Sequence, residues 1–178
     1  MRISRVIDAV NAFIGKAVIW LILASIVISA GNAVSRKLFD WSSNAWLELQ
    51  WYLFGAAFML AAAYTLQRNE HIRIDIVSNH LPKGVRHAIE LVGHVFMLLP
   101  FCALMVWETW PNMMESYAIG ENSSNYGGLI IWPAKAFIVA GFALLFLQGI
   151  SELIKRIAII AGIIPDTQEA HHTPLPVE

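Results

Sequence analysis

The chain has 178 residues, of which 57% are hydrophobic and only 14% charged, and its mean hydropathy is +0.58. A soluble globular domain carries roughly 25% charged residues, so that class is excluded. A formal net charge of −1 and a pI near 6.6 also exclude a nucleic-acid partner, because phosphate binding needs a concentrated basic surface. Cys102 is the single cysteine and sits inside an apolar run. An intrachain disulfide, a CxxC redox pair and a cysteine metal cage are all ruled out, and Cys102 reads as a small core residue.

A helix needs about 20 mainly apolar residues to cross roughly 30 Å of hydrocarbon, since lipid offers no hydrogen-bond partner to the backbone. Four stretches meet that requirement, at about 14–34, 45–66, 88–107 and 129–150. They predict an all-α membrane protein whose membrane domain covers residues 1–164. Ahead of the first span, Arg2 and Arg5 precede an apolar run that ends in Ser29, Ala30 and Gly31, in the manner of a signal peptide. The polar lead-in through Asp8, Asn11 and Lys16 is too long for a signal's basic region. It reads instead as an amphipathic stretch entering the first span, with room for an interfacial amphipathic helix there. Pro100 predicts a disturbance of the third span that neighbouring helices satisfy. Residues 157–164 are apolar but too short to cross. Residues 165–178 have no apolar period and are expected to form a disordered cytoplasmic tail, with His171 and His172 solvated.

Orientation follows from the basic residues. Arg2, Arg5, Lys16, Arg68, Arg73, Lys83, Arg86, Lys155 and Arg156 fall on one side, against Arg36, Lys37 and Lys135 on the other. The positive-inside rule then places both termini in the cytoplasm. The stretch 108–128 holds Glu108, Glu115 and Glu121 and no basic residue, as expected of an outward loop. In this topology Trp41, Trp46, Trp107, Trp110 and Trp132 gather near the outer surface, where amphipathic indoles prefer to sit.

An ionisable residue within a span is a functional candidate by default, because it is expensive to hold in hydrocarbon. Glu48 lies one turn inside the outer end of span two, with Gln50 beside it, and Lys135 lies at similar depth in span four. An ion pair between Glu48 and Lys135 that locks two helices is the expected arrangement. Glu90 and His94, four apart on span three, share a helical face, which fits either a proton relay or, more plainly, a local hydrogen-bonded pair facing a neighbouring subunit. The middles of spans one, two and four hold no charge, and the broken helices of inverted-repeat carriers are missing. No catalytic, cofactor-binding or metal-binding motif occurs: there is no HExxH, no GxSxG, no phosphate loop and no second intramembrane histidine to ligate a haem. Small residues one turn apart, Ala57 with Ala61 and Ala136 with Ala140, offer close-packing surfaces instead.

The most distinctive stretch is residues 48–76, ELQWYLFGAAFMLAAAYTLQRNEHIRIDI. In its last eight residues, NEHIRIDI, polar His71, Arg73 and Asp75 alternate with isoleucines. Together with the Glu-x-Gln-Trp pattern at 48–51, the four-span plan and WPAKAFIVAGFALLFLQGISELI at 132–154, this segment resembles the small membrane subunits, DctQ-like, of tripartite ATP-independent periplasmic (TRAP) transporters. The resemblance covers nearly the whole chain. It implies a bacterial inner-membrane complex in which a periplasmic substrate-binding protein delivers an organic acid anion to a large, DctM-like, sodium-driven subunit. The small subunit would be that partner's fixed scaffold, with no cofactor or sodium site of its own. Glu48, Gln50, Trp51, His71, Arg73, Asp75, Trp132 and Lys135 are then packing and interface positions. Two other readings of a four-span chain are a small autonomous exporter, which would want a carboxylate within span one, and the membrane anchor of a redox complex.

Overall fold

The computed structural model describes residues 2–68 and 83–163. The described residues are helical, apart from short connections, and four helices are long and apolar enough to cross a membrane: Arg2–Phe39, Asn44–Gln67, Gly93–Ala118 and Trp132–Ile160. Helix α1 spans Arg2–Phe39 and its 38 residues reach about 57 Å at ~1.5 Å per residue, almost twice the hydrocarbon thickness. The polar lead-in is therefore the first three turns of the spanning helix itself, and a separate interfacial helix does not form ahead of span one. Asp40, at a φ of 50°, ends α1. Ser43 then starts α2, Asn44–Gln67, by accepting the Ala45 N–H at 3.2 Å.

After residues 69–82, which include the sequence candidates His71, Arg73 and Asp75 and lie outside the described residues, α3 spans Lys83–Val92. It runs through a π-helical stretch, Gly93–Leu98, into α4, Leu99–Ala118. The disturbance expected at Pro100 takes this form. Proline has no N–H to continue the ladder, and immediately before it the Leu99 N–H reaches back five residues to the His94 carbonyl. Helix continues through Pro111 to Ala118 rather than ending near Trp107, so Glu108 and Glu115 stand exposed on helix and not in a loop. The outer connection 119–131 is a narrow turn closed by an antiparallel bridge between Asn122 and Ile130. In it the Ser123 N–H meets the Leu129 carbonyl at 2.9 Å and the Ile131 N–H meets that of Glu121 at 2.9 Å. Helix α5, Trp132–Ile160, completes the chain.

In the packing, α5 is central. It contacts α2, α4 and α1, while α1 and α2 lie against each other along their length. The start of α1 meets the last turns of α5, placing the two ends of the bundle's chain on one side, as an even number of crossings requires. The interior is inverted relative to a soluble protein. The largest fully buried side chains are Gln148, Asn11, Cys102, Ser116 and Ser151, whereas Trp20, Phe58 and Trp107 are each at least 70% exposed. Lipid tails are as apolar as leucine, so large apolar residues gain nothing by turning inward, and close approach and polar contacts decide what meets. Two glycines let helices approach closely. A Cβ on Gly15 would stand 2.7 Å from Tyr64 Cβ, and one on Gly141 would stand 2.7 Å from Met59 Cβ and 2.9 Å from its carbonyl oxygen.

These contacts predict that Gly15→Leu and Gly141→Leu each destabilise the bundle by about 1–3 kcal/mol through overpacking. Gly31→Leu, with nothing within 4 Å of the added Cβ, serves as the neutral control. Thermal-aggregation midpoints in mild detergent separate the three.

Candidate functional site: polar junctions at the two ends of the bundle

At the outer end, Glu48 is 5% exposed and organises the whole 119–131 turn. Its position one turn into α2 aims the carboxylate at backbone and side-chain donors of the turn. One oxygen accepts the Leu129 N–H at 2.6 Å. The other accepts the Asn125 amide at 2.9 Å and the Ser123 hydroxyl. Asn44, at the start of the same helix, donates to the Tyr126 carbonyl at 2.9 Å. Lys135, one turn into α5, pairs with Glu121 at 2.6 Å. The expected Glu48–Lys135 ion pair is therefore not made. Each residue instead closes its own contact to the connection between α4 and α5, because that connection folds down between them and brings nearer partners. The Lys135 ammonium holds the Glu121 carboxyl below the usual carboxylate range.

The other sequence candidates have plainer places. Gln50 contributes its backbone carbonyl, which accepts from the Ser25 hydroxyl of α1 at 3.2 Å. Trp51 is 65% exposed on the outside of the bundle. Trp132 stands edge-on to Tyr117, ring centroids 5.4 Å apart, and ties the ends of α4 and α5 together. Glu90 lies in α3 and His94 in the π-helical stretch. Cys102 is a buried free thiol, as its setting implied.

A second junction, at the end carrying the helix-α1 start, was not legible as a unit in the sequence. Gln148 is fully buried in α5. Its amide nitrogen donates to Asp8 Oδ1 and to Glu152 Oε1, both at 2.9 Å, and its oxygen accepts from Asn11 Nδ2 at 2.7 Å. Ser151 donates to Asp8 Oδ1 at 2.9 Å and lies 2.8 Å from Ser4 Oγ. Lys155 bridges Asp8, at 3.2 Å, and Glu152. From α2, Gln67 reaches the Asp8 backbone carbonyl at 3.1 Å. A signal for this junction does exist in the chain. Ser4, Asn11, Val18 and Ser25 recur every seven residues and are the buried residues of α1. Gln148, Ser151, Glu152 and Lys155 follow the i, i+3, i+4, i+7 spacing of one helical face.

Between the two junctions the helices meet through small and apolar residues such as Ala56, Ala57, Ala63 and Val139. Among the described residues no three of His, Cys, Asp and Glu converge as metal ligands. A groove of about 320 Å³ on α4, lined by Ala103, Val106, Trp107, Trp110 and Pro111, is almost wholly apolar. Fold and junctions define a four-span membrane subunit whose buried polar groups hold its own helices together. The family described as tripartite ATP-independent periplasmic transporters, DctQ component, matches residues 25–158, and the chain belongs to it. Neither the curated proteins nor the solved structures contain a significant match to the chain.

Two expectations follow for the outer turn. Glu48→Gln keeps the shape but presents an N–H to donors that need an acceptor, and it should destabilise the turn by about 1–3 kcal/mol, seen as faster limited proteolysis within residues 119–131. The Glu121–Lys135 contact gives the turn a pH dependence. Because Glu121 titrates lower in the folded chain than in the unfolded one, its contribution is complete above the ordinary glutamate pKa and is lost as pH falls through the folded value. Lys135→Gln, which has no ion pair at any pH, should lack this component of the acid-induced rise in cleavage.

Proposed function

We propose that this chain is the fixed scaffold subunit of a sodium-coupled secondary transporter in the bacterial inner membrane. That transporter imports organic acid anions handed over by a periplasmic binding protein, and a large DctM-like membrane subunit carries both the anion and the sodium. The observation that carries this reading is where the described polar side chains of the spans are engaged. Glu48, Asp8, Asn11, Gln148 and Ser151 sit at the two ends of the bundle and bond within the chain, and the middle is closed by alanines and glycines. A transported anion needs convergent donors, and a sodium ion needs convergent oxygens, at a depth that alternating access can reach. A partner that supplies them fits a subunit built to stay rigid.

The autonomous-exporter reading wants a free carboxylate in span one. Asp8 is the carboxylate in the early turns of α1, and it is bonded to Gln148, Ser151 and Lys155. On the outer side, the clamped turn holds Tyr126 at 97% exposure, a fixed projection on which a binding protein can rest.

The test is reconstitution. The chain should copurify in mild detergent with a large DctM-like subunit from the same cells. Liposomes holding both should take up the organic acid only with the binding protein present and an inward sodium gradient. Solute uptake by the chain alone, or unimpaired uptake by the large subunit alone, would sink the reading.

A further inference from the structure

The junction of α1, α2 and α5 contains two oxygen acceptors that its own hydrogen-bond logic leaves over. Asp8 and Glu152 are carboxylates in contact with Lys155, and their oxygens accept. Gln148 must therefore present its amide nitrogen to both, at 2.9 Å each, which commits its two N–H groups. What it turns toward Asn11 is then its oxygen, and only the Asn11 amide nitrogen can answer it, at 2.7 Å. The Asn11 oxygen points the other way. Asn11 is 2% exposed, and this oxygen has no donor among the described residues. The same reasoning applies to Gln67. The Asp8 backbone carbonyl can only accept, so it takes the Gln67 nitrogen at 3.1 Å, and the Gln67 oxygen is left buried without a donor among the described residues. Reversing either amide does not help, because it would set oxygen against oxygen at a hydrogen-bonding distance.

The two leftover oxygens are tied to one turn of α1. Gln67 is fixed to the carbonyl of residue 8, and Asn11 follows three residues later on the same side of the helix. Buried amide oxygens are rarely left unpaired, and the group that meets such a pair in the interior is a small double donor. A metal cation is a poorer fit, since Lys155 already sets a positive charge against Asp8 and Glu152. The junction lies within the first three turns of α1, next to the aqueous phase on the side that the basic residues assign to the cytoplasm.

We propose that this junction is a binding site for one ordered water molecule, which donates one O–H to Asn11 Oδ1 and the other to Gln67 Oε1. It fastens α1 to α2 as Gln148 fastens α1 to α5. The three helix ends then form one hydrogen-bonded unit, and the long α1 is held at its inner end from two sides.

A structure of the full chain in lipid nanodiscs, at a resolution that shows ordered solvent, tests this directly. The expected result is a density peak about 2.7–3.2 Å from both oxygens. A protein group in that place, a shell of short oxygen contacts typical of a metal ion, or no density with both amides oriented as described would each overturn it. A thermodynamic cycle tests it independently. Asn11 and Gln67 share no direct bond, so a bridging water predicts that Asn11→Leu and Gln67→Met combine with a smaller loss of thermal stability than the sum of the single losses. Ser151→Ala also loses a bond to Asp8 but does not touch the water, so its coupling to Gln67→Met measures what Asp8 alone transmits and should be smaller than that of the Asn11–Gln67 pair. Additive losses for the Asn11–Gln67 pair, or equal coupling in the Ser151 control, would overturn the proposal. Should Asn11→Leu fail to assemble, Asn11→Ser with the same Gln67 partner completes the cycle.

Discussion

Between two helices in a bilayer, burying an apolar side chain releases no water, because the tails it leaves behind are as apolar as the neighbour it meets. Everything that fixes these helices relative to one another must therefore come from shape and from polar groups with no other partner. Gln148 shows the constraint most fully. A buried primary amide has two donors and an oxygen to satisfy, and here they are met by side chains on two helices, Asp8 and Asn11 on α1 and Glu152 on α5. Removing any one of these partners would leave the others facing an unmet buried group. That is why a handful of polar residues, and not the abundant leucines and isoleucines, specify the arrangement.

The outer end solves the same problem with a different chain segment. There the unmet groups belong to a turn between two helices, and a single carboxylate from a third helix accepts three of its donors. Glu48 thus links α2 to the connection between α4 and α5, while Lys135 and Asn44 hold the same turn from either side. The two junctions sit at opposite ends of α5 and α2, and the glycine contacts at Met59 and Tyr64 lie between them. Pinned at both ends and tight in the middle, the bundle has few ways to deform. The proposed scaffold role asks for such rigidity.

Helix α4 stands apart from this scheme. It rests chiefly on α5, through contacts such as Phe101 edge-on to Phe142, and presents Phe101, Leu104, Trp107 and Trp110 outward. That outward face is apolar as far as Trp107, and the exposed Glu108 and Glu115 mark its outer end.

How much of this was readable beforehand depended on the range of the physics involved. Four spans, a helical fold, the shared side of the two termini and the membrane class follow from composition, apolar run length and the placement of arginines and lysines. These are sums over local sequence that bilayer thickness turns directly into structure. Family membership was legible in the order of short motifs from Glu48 to Ile154. Local sequence also marked Glu48, Gln50 and Lys135 as unusual, because a polar group at that depth demands a partner. Which partner it finds was not local information. Glu48 lies 75 positions before Ser123 and 81 before Leu129, and Asp8 lies 140 positions before Gln148. Only the folded chain brings them within bonding distance, and there the nearest unsatisfied donor displaced the opposite charge that sequence reasoning had paired with Glu48. The amphipathic lead-in likewise continued as spanning helix, because Gln148, Ser151 and Lys155 offered its polar face partners inside the bundle. The chain alone therefore determined which segments cross the membrane and which residues could not be left unpaired there. The tertiary structure decided who pairs with whom, since a hydrogen bond depends on ångström-scale proximity that no local pattern encodes.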